Sequence, residues 1–216
     1  MLYLSKSKYC GLWQCPKMAW LRQYKPDEAA SDDAVLARMD VGNDVGDLAM
    51  GLFGPYVEVT VKKDDGSGAL DLAAMISATK AEMAKGTPNI CEASFAYGGL
   101  YCAVDILRRE GGGWAIYEVK SSVSHGGDAP KAVYAADISY QKYVLERCGV
   151  FVTGTYLVTL NGDYVRDGAL DLSGLFRVSD VSDAVALETP NVEANLAAAE
   201  KLLASDAEPD VCLGGQ

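Results

Sequence analysis

The chain has 216 residues, half of them apolar, with 30 acidic and 19 basic residues and a formal net charge of -11. That suffices for one domain, or one domain with an appended lobe, around a buried core, and it excludes a disordered chain. It argues against a nucleic-acid binder working by overall electrostatic attraction. With no long apolar run and no signal-peptide core, the sequence predicts a cytoplasmic protein that does not engage a membrane.

Met1 to Lys25 holds Lys6, Lys8, Lys17, Arg22 and Lys25 and no acid, a segment of +5 that leaves -16 for the remainder. Such a stretch can track a phosphate backbone or be a solvated helix face, and the sequence leaves both readings open. Ser5 or Ser7 caps a predicted helix running to about Tyr24, with Trp13, Met18, Trp20 and Leu21 among its apolar positions, and Pro26 ends it. A second helix is predicted from about Asp32 to Phe53, through Gly42 and Gly46. A strand at Tyr56 to Lys62, a polar loop at Asp64 to Gly68 and an amphipathic helix from about Leu70 to Lys85 follow.

From Asn89 to Ser122 the pattern predicts a β-meander. Two β-rich apolar runs are split by Gly98-Gly99, and a third follows Gly111-Gly112-Gly113. Alternation places Glu118 and Lys120 on one face and turns Val119 into the core. Asp105 lies towards the end of the middle strand, next to the strand of Glu118, so the two carboxylates can reach one hard divalent cation, with the Val119 carbonyl as a third oxygen. Lys120 cannot bind that cation, but it can act on a water or a phosphate beside it. Glu92, between Cys91 and Ala93 on the first strand, is either paired or metal-bound, or else an edge-facing acid.

Ser121 to Lys131 reads as a loop bearing His125, the only histidine, so no His₂ zinc site is possible. The predicted helix from Ala132 to Cys148 carries Asp137 and Gln141 on one face. It connects to a fourth strand, Phe151 to Leu160, as the crossover of a parallel pair. Asn161 to Gly168 and Leu175 to Arg177 read as a hairpin or loop extension, and a last helix spans about Val192 to Ser205. No phosphate-cradling glycine loop is present, so an ATP-driven motor is not expected. The six cysteines of a chain without a secretory signal read as thiols or metal ligands rather than a disulfide framework, and Cys10, Cys91, Cys102 and Cys148 as small buried residues.

Asp105, then Glu118-Val119-Lys120 on the next strand, resembles the PD-(D/E)XK nuclease superfamily, although Val104 stands where the family name has proline. Cys15-Pro16 resembles the RecB-like exonuclease branch, including its CRISPR-associated members. An uncharacterised bacterial subgroup is similar over nearly the whole chain, through Ser5-Lys6-Ser7, Cys15-Pro16-Lys17, Gly42 and Gly46, Glu92, Asp105-Ile106-Leu107, Glu118 to Ser121 and Tyr140-Gln141. The resemblance implies an α/β restriction-endonuclease-like core with a central mixed sheet flanked by helices. An N-terminal helical region, residues 1–55, would precede a core of residues 56–216.

It further implies a metal-dependent deoxyribonuclease, an exonuclease acting on DNA ends or single strands, with unspecified protein partners in repair or CRISPR-type pathways. Asp105, Glu118 and the Val119 carbonyl would hold Mg²⁺ or Mn²⁺, Glu92 would assist, Lys120 would position the attacking water and Gln141 would touch the substrate. Gly46 stands where the branch often has a further histidine ligand. Cys15 and Cys212 would be thiolates of a [4Fe-4S] cluster, which needs four. The chain stops where the family continues into grouped cysteines, so a cluster is expected to be absent or incomplete here. Two other readings stay open: a nuclease-derived module that binds DNA or a partner without turnover, and an interaction domain whose motif residues are surface charges.

Overall fold

The computed structural model describes residues 3–28 and 33–211, with residues 33–39 described by their backbone alone. Leu4–Ser5 (β1) leads into helices Lys6–Gln14 (α1) and Pro16–Tyr24 (α2), followed by Asp33–Met50 (α3). Val57–Glu58 (β2) and Leu72–Lys85 (α4) precede the meander Asn89–Tyr97 (β3), Leu100–Glu110 (β4) and Gly113–Ser124 (β5). Ala132–Arg147 (α5) then connects to Val152–Asn161 (β6). Leu172–Leu175 (α6), Phe176–Asp180 (β7), Ser182–Glu188 (α7) and Asn191–Leu203 (α8) complete the described chain.

The sheet runs β2-β3-β4-β5-β6-β7, with β1 attached to β4. The meander strands are antiparallel to one another, β6 is parallel to β5, and β7 is antiparallel to β6. One face of the sheet packs Ile90, Val104, Ile116 and Leu157 against Tyr9 and Leu12 of α1 and Ile138, Tyr140 and Val144 of α5. On the other face Cys91, Ile106, Tyr117 and Val158 meet Val45, Ala49 and Met50 of α3. This α/β architecture, a central mixed sheet flanked by helices, is the restriction-endonuclease-like core that the resemblance implies.

Several predicted boundaries move. The first helix is two, because Cys15 is extended, with φ -156° and ψ 97°. A residue before proline is pushed out of the helical region, and Pro16 lacks the N–H that would continue the ladder, so it opens α2 instead. The second helix ends at Met50, three residues short of the expected Phe53, and Asp32 lies outside the described residues. The first strand shrinks to two residues; its line is extended by the Val59 N–H, which donates to the Cys91 carbonyl at 3.1 Å. β5 runs to Ser124 where a loop is expected from Ser121, because a register shift between Lys120 and Val123 absorbs two residues and pairing with β6 resumes. β7 and α7 are additions at the far edge. Cys91 and Cys102 are buried as expected, whereas Cys10 is half-buried and Cys148 is exposed.

The sheet forks where the chemistry is. β4 pairs with β5 from Glu110 back to Ile106 and no further. Beyond that point the edge of β4 that faced β5 is taken by β1, with Leu4 opposite Leu100 and Ser5 opposite Tyr101. Asp105 stands at the fork, and the turn from β1 into α1 enters it.

Candidate active site

Register puts three acids in a row across the meander. Cys91 faces Ile106 and Ala93 faces Val104, so Glu92 lies opposite Asp105. Ile106 faces Tyr117 in the last paired step between β4 and β5, so Asp105 and Glu118 are the first residues past it, where the strands part. The Lys6 ammonium that reaches both Asp105 and Glu118 sets those two acids on one side, and Glu92 lies near enough to feel their charge. The fork leaves the Val119 N–H outside the β4 ladder, and Asp105 Oδ2 accepts it at 2.7 Å, which fixes the carboxyl against β5. Val119 itself packs on the α3 face.

Lys6 enters through the fork. Its Nζ lies 3.1 Å from both carboxyl oxygens of Glu118 and 3.4 Å from Asp105 Oδ1, so one cationic nitrogen is shared by the two acids. Lys120 Nζ sits on the other flank of Glu118, 2.5 Å from Oε1, and 2.7 Å from Asp137 Oδ2 of α5. Gln141, one helical turn after Asp137, donates from Nε2 to Glu118 Oε2 at 2.7 Å and to Asp137 Oδ1 at 2.9 Å. Its Oε1 is buried without a hydrogen-bond partner. Glu118 is 1 % exposed, Asp137 5 % and Gln141 0 %, so this is a buried charge cluster and not a solvated strand edge.

The electrostatics sort the acids. Burial and the neighbouring Glu118 charge push the Asp105 carboxyl up to about 6, against the pull of Lys6, Lys120 and the Val119 N–H. Burial would also raise Glu118, but Lys120 and Lys6 hold it well below the usual carboxylate range. Burial and Glu118 raise Asp137. Burial acts to lower both lysines, yet the carboxylates win: Glu118 and Asp137 raise Lys120, and Asp105 and Glu118 raise Lys6. Glu92 reaches about 7, through burial and then the Asp105 charge. Its φ of +58° is the one positive value at a non-glycine position among the described residues, so the backbone carrying this acid is strained.

Asp105, Glu118 and Lys120 therefore stand together, with Glu92 in the same row. Gln141 departs from the expected contact with substrate: it is buried under the site, and its amide holds Glu118 and Asp137. Lys6 and Asp137 are members that the sequence did not reveal. The signal for Asp137 was its four-residue spacing from Gln141; for Lys6 it was its place in a basic segment and in the Ser5-Lys6-Ser7 motif, neither of which points to the two acids. Gly46 lies on α3, whose packed side chains meet the opposite sheet face, and a Cβ there would touch nothing within 4 Å. His125 is exposed, with Nδ1 3.2 Å from Asp163 Oδ1.

One cation, the Lys6 ammonium, lies within 3.1–3.4 Å of both acids, so Asp105 and Glu118 face a common point. Among the described residues no group of three or more His, Cys, Asp or Glu is placed to hold a metal ion, so the acids would need backbone oxygen or water to complete a shell. Of the two cysteines expected to serve an iron-sulfur cluster, only Cys15 is among the described residues. Cys15 caps α2, its sulfur accepting the Met18 N–H at 3.4 Å, and Cys212 lies outside the described residues. Four gathered thiolates are not present among the described residues. The chain before Cys212 does return to the N-terminal helices: the Ser205 carbonyl accepts from Trp20 Nε1 at 2.8 Å, and Glu208 pairs with Lys17 at 3.1 Å and Lys25 at 3.3 Å.

No protein-family model and no curated protein matches this sequence. Among solved structures, an alkaline exonuclease from Laribacter hongkongensis (LHK-Exo) is similar over 93% of this chain and 89% of its own, at 14% identity and a TM-score of 0.45. The protein described as SSO0001 is similar over 90% of this chain and 75% of its own, at 12% identity and a TM-score of 0.42. Neither likeness is close enough to say what this chain binds or does. Among the described residues no helix is long and apolar enough to cross a membrane.

Proposed function

We propose that this chain is a metal-dependent deoxyribonuclease that hydrolyses phosphodiester bonds, with DNA ends or single strands as its substrate class. The observation that carries this reading is that Asp105 and Glu118 accept from one and the same ammonium, Lys6 Nζ, while a second ammonium, Lys120, flanks Glu118. Two acids on one side of the sheet with a lysine alongside are the parts that phosphate hydrolysis with a divalent cation needs. Asp105, Glu118 and the Val119 carbonyl would hold Mg²⁺ or Mn²⁺. When bound, such an ion supplies positive charge for the phosphate oxygens and a more acidic water.

The chain's own residues do the positioning. Lys120 donates to Glu118 and Asp137, which keeps it an ammonium, so its part is to orient the attacking water and offset charge developing on phosphate rather than to remove a proton. Asp137 and Gln141 fix Lys120 and Glu118 from below. Glu92, opposite Asp105 on a strained residue, assists as a further acid. Cleavage of an end-labelled single strand in Mn²⁺, compared with EDTA and with Asp105→Asn, tests the proposal. Metal-dependent cleavage lost in the variant supports it, and metal-independent or undiminished cleavage refutes it. One observation favours a nuclease-derived binding module instead: a lysine fills the place between the acids. Under that reading Mn²⁺ leaves DNA intact while DNA binding persists.

A further inference from the structure

Lys6 is the one member of the cluster that comes from outside the meander and α5. Its backbone is pinned. The Leu4 N–H donates to the Gly99 carbonyl at 3.0 Å, the Tyr140 hydroxyl donates to the Leu4 carbonyl at 2.6 Å, and Leu4 is 0 % exposed. Ser5 is the N-cap of α1 and accepts the Lys8 N–H at 3.4 Å. Only the side chain is free to exchange, and it is 18% exposed. Its nitrogen lies in the notch where an ion ligated by Asp105 and Glu118, with metal–oxygen distances of about 2.0–2.2 Å, would have to sit. An ammonium and a divalent cation repel, and the notch has room for one of them.

We infer that Lys6 is a resident counter-cation of this site, which neutralises Asp105 and Glu118 until a divalent ion displaces its ammonium into solvent. Binding of the ion and seating of Lys6 are mutually exclusive, and the exchange is a rotamer change on a fixed backbone. This inference rests on the metal site proposed above. A competitor that occupies the site nine-tenths of the time raises the apparent Kd about tenfold.

The experiment is a Mn²⁺ titration followed by electron paramagnetic resonance, in the absence of DNA, on the wild-type chain, Lys6→Met and Asp105→Asn, with a thermal melt to verify folding. Lys6→Met is expected to bind Mn²⁺ about tenfold more tightly than wild type, and Asp105→Asn to bind it weakly or not at all. Equal affinity in wild type and Lys6→Met overturns the exclusion alone; absence of Mn²⁺ binding in both overturns the metal site as well. A second measurement needs no variant. Amine labelling of the wild-type chain, read by mass spectrometry, is expected to rise several-fold at Lys6 when Mn²⁺ is added, and labelling unchanged by Mn²⁺ overturns the proposal.

Discussion

Lys120 is both the proposed catalytic ammonium and a member of a buried ion cluster, and a double-mutant cycle with Asp137 separates the two. Removing one partner of a fully buried ion pair costs about 3–5 kcal/mol. Lys120 is 25% exposed, while Glu118 is 1% and Asp137 7% exposed at the side chain. After Lys120→Met, Glu118 keeps Lys6 and the Gln141 amide, and Asp137 keeps that amide. The expected loss is therefore nearer roughly 2–3 kcal/mol. At roughly 2–4 °C per kcal/mol for a chain of this size, Tm falls by roughly 4–12 °C. Adding Asp137→Asn removes the carboxylate left without its ammonium, and stability should return by about 1–2 kcal/mol relative to the sum of the single changes.

Thermal melts in EDTA at low salt read the stabilities, and Mn²⁺-dependent cleavage of a labelled single strand reads the chemistry. Cleavage is expected to fall by roughly 10²–10³-fold in Lys120→Met and to stay there in the double variant. Strict additivity of the two melts would refute the ion pair. Cleavage that recovers together with stability would refute a chemical role for Lys120 and leave it a structural cation.

Glu92 carries a pH dependence. With its carboxyl raised to about 7 in the fold, the folded chain holds a proton that the unfolded chain releases from about pH 4.5 upward, so stability falls across that window by at most roughly 3–4 kcal/mol. Urea melts at pH 5 and pH 8 should show this slope in wild type and a flatter one in Glu92→Gln; equal slopes refute it. Tyr140→Phe should cost about 1–2 kcal/mol in urea unfolding, because the hydroxyl that ties α5 to the Leu4 carbonyl at 2.6 Å is fully buried. In thiol labelling of the native chain, exposed Cys148 should react first among the five described cysteines. Cys91, buried and with its thiol pushed up to about 12, should react only after unfolding.

The meander was legible because its signals are local. Glycine runs end β3 and β4, and alternation alone puts Glu118 and Lys120 on one side. The break at Cys15 was written in the sequence as well, since a residue before proline resists the helical region, but apolar periodicity across the junction masked it. Lys6 was not legible: its contact with Glu118 spans 112 residues and exists only because β1 fills the gap that β5 leaves along β4. Gln141 illustrates a different limit. Its spacing from Asp137 fixes a shared helix face, but which way that face points depends on how α5 packs, and it points down onto Glu118 rather than out to a ligand. The extension of β5 past Ser121 depends on an irregularity in its pairing with β6, which alternation along one strand does not encode.

The fork also changes what the basic N-terminal segment can do. Of its five cations, Lys6 is seated on Asp105 and Glu118, while Lys17 and Lys25 pair with Glu208. Lys8 and Arg22 remain, and with Gly11, Gln23 and Leu203 they line a groove of about 420 Å³ between α1, α2 and the end of α8. The segment is thus not a continuous rail for a phosphate backbone: most of its charge holds the N- and C-terminal parts of the chain together or balances the acids of the fork. In a chain of net charge -11, a polyanion must be met by local cations and not by the field of the whole surface. A divalent ion at Asp105 and Glu118 would supply one such cation and, by displacing Lys6, free a second beside it.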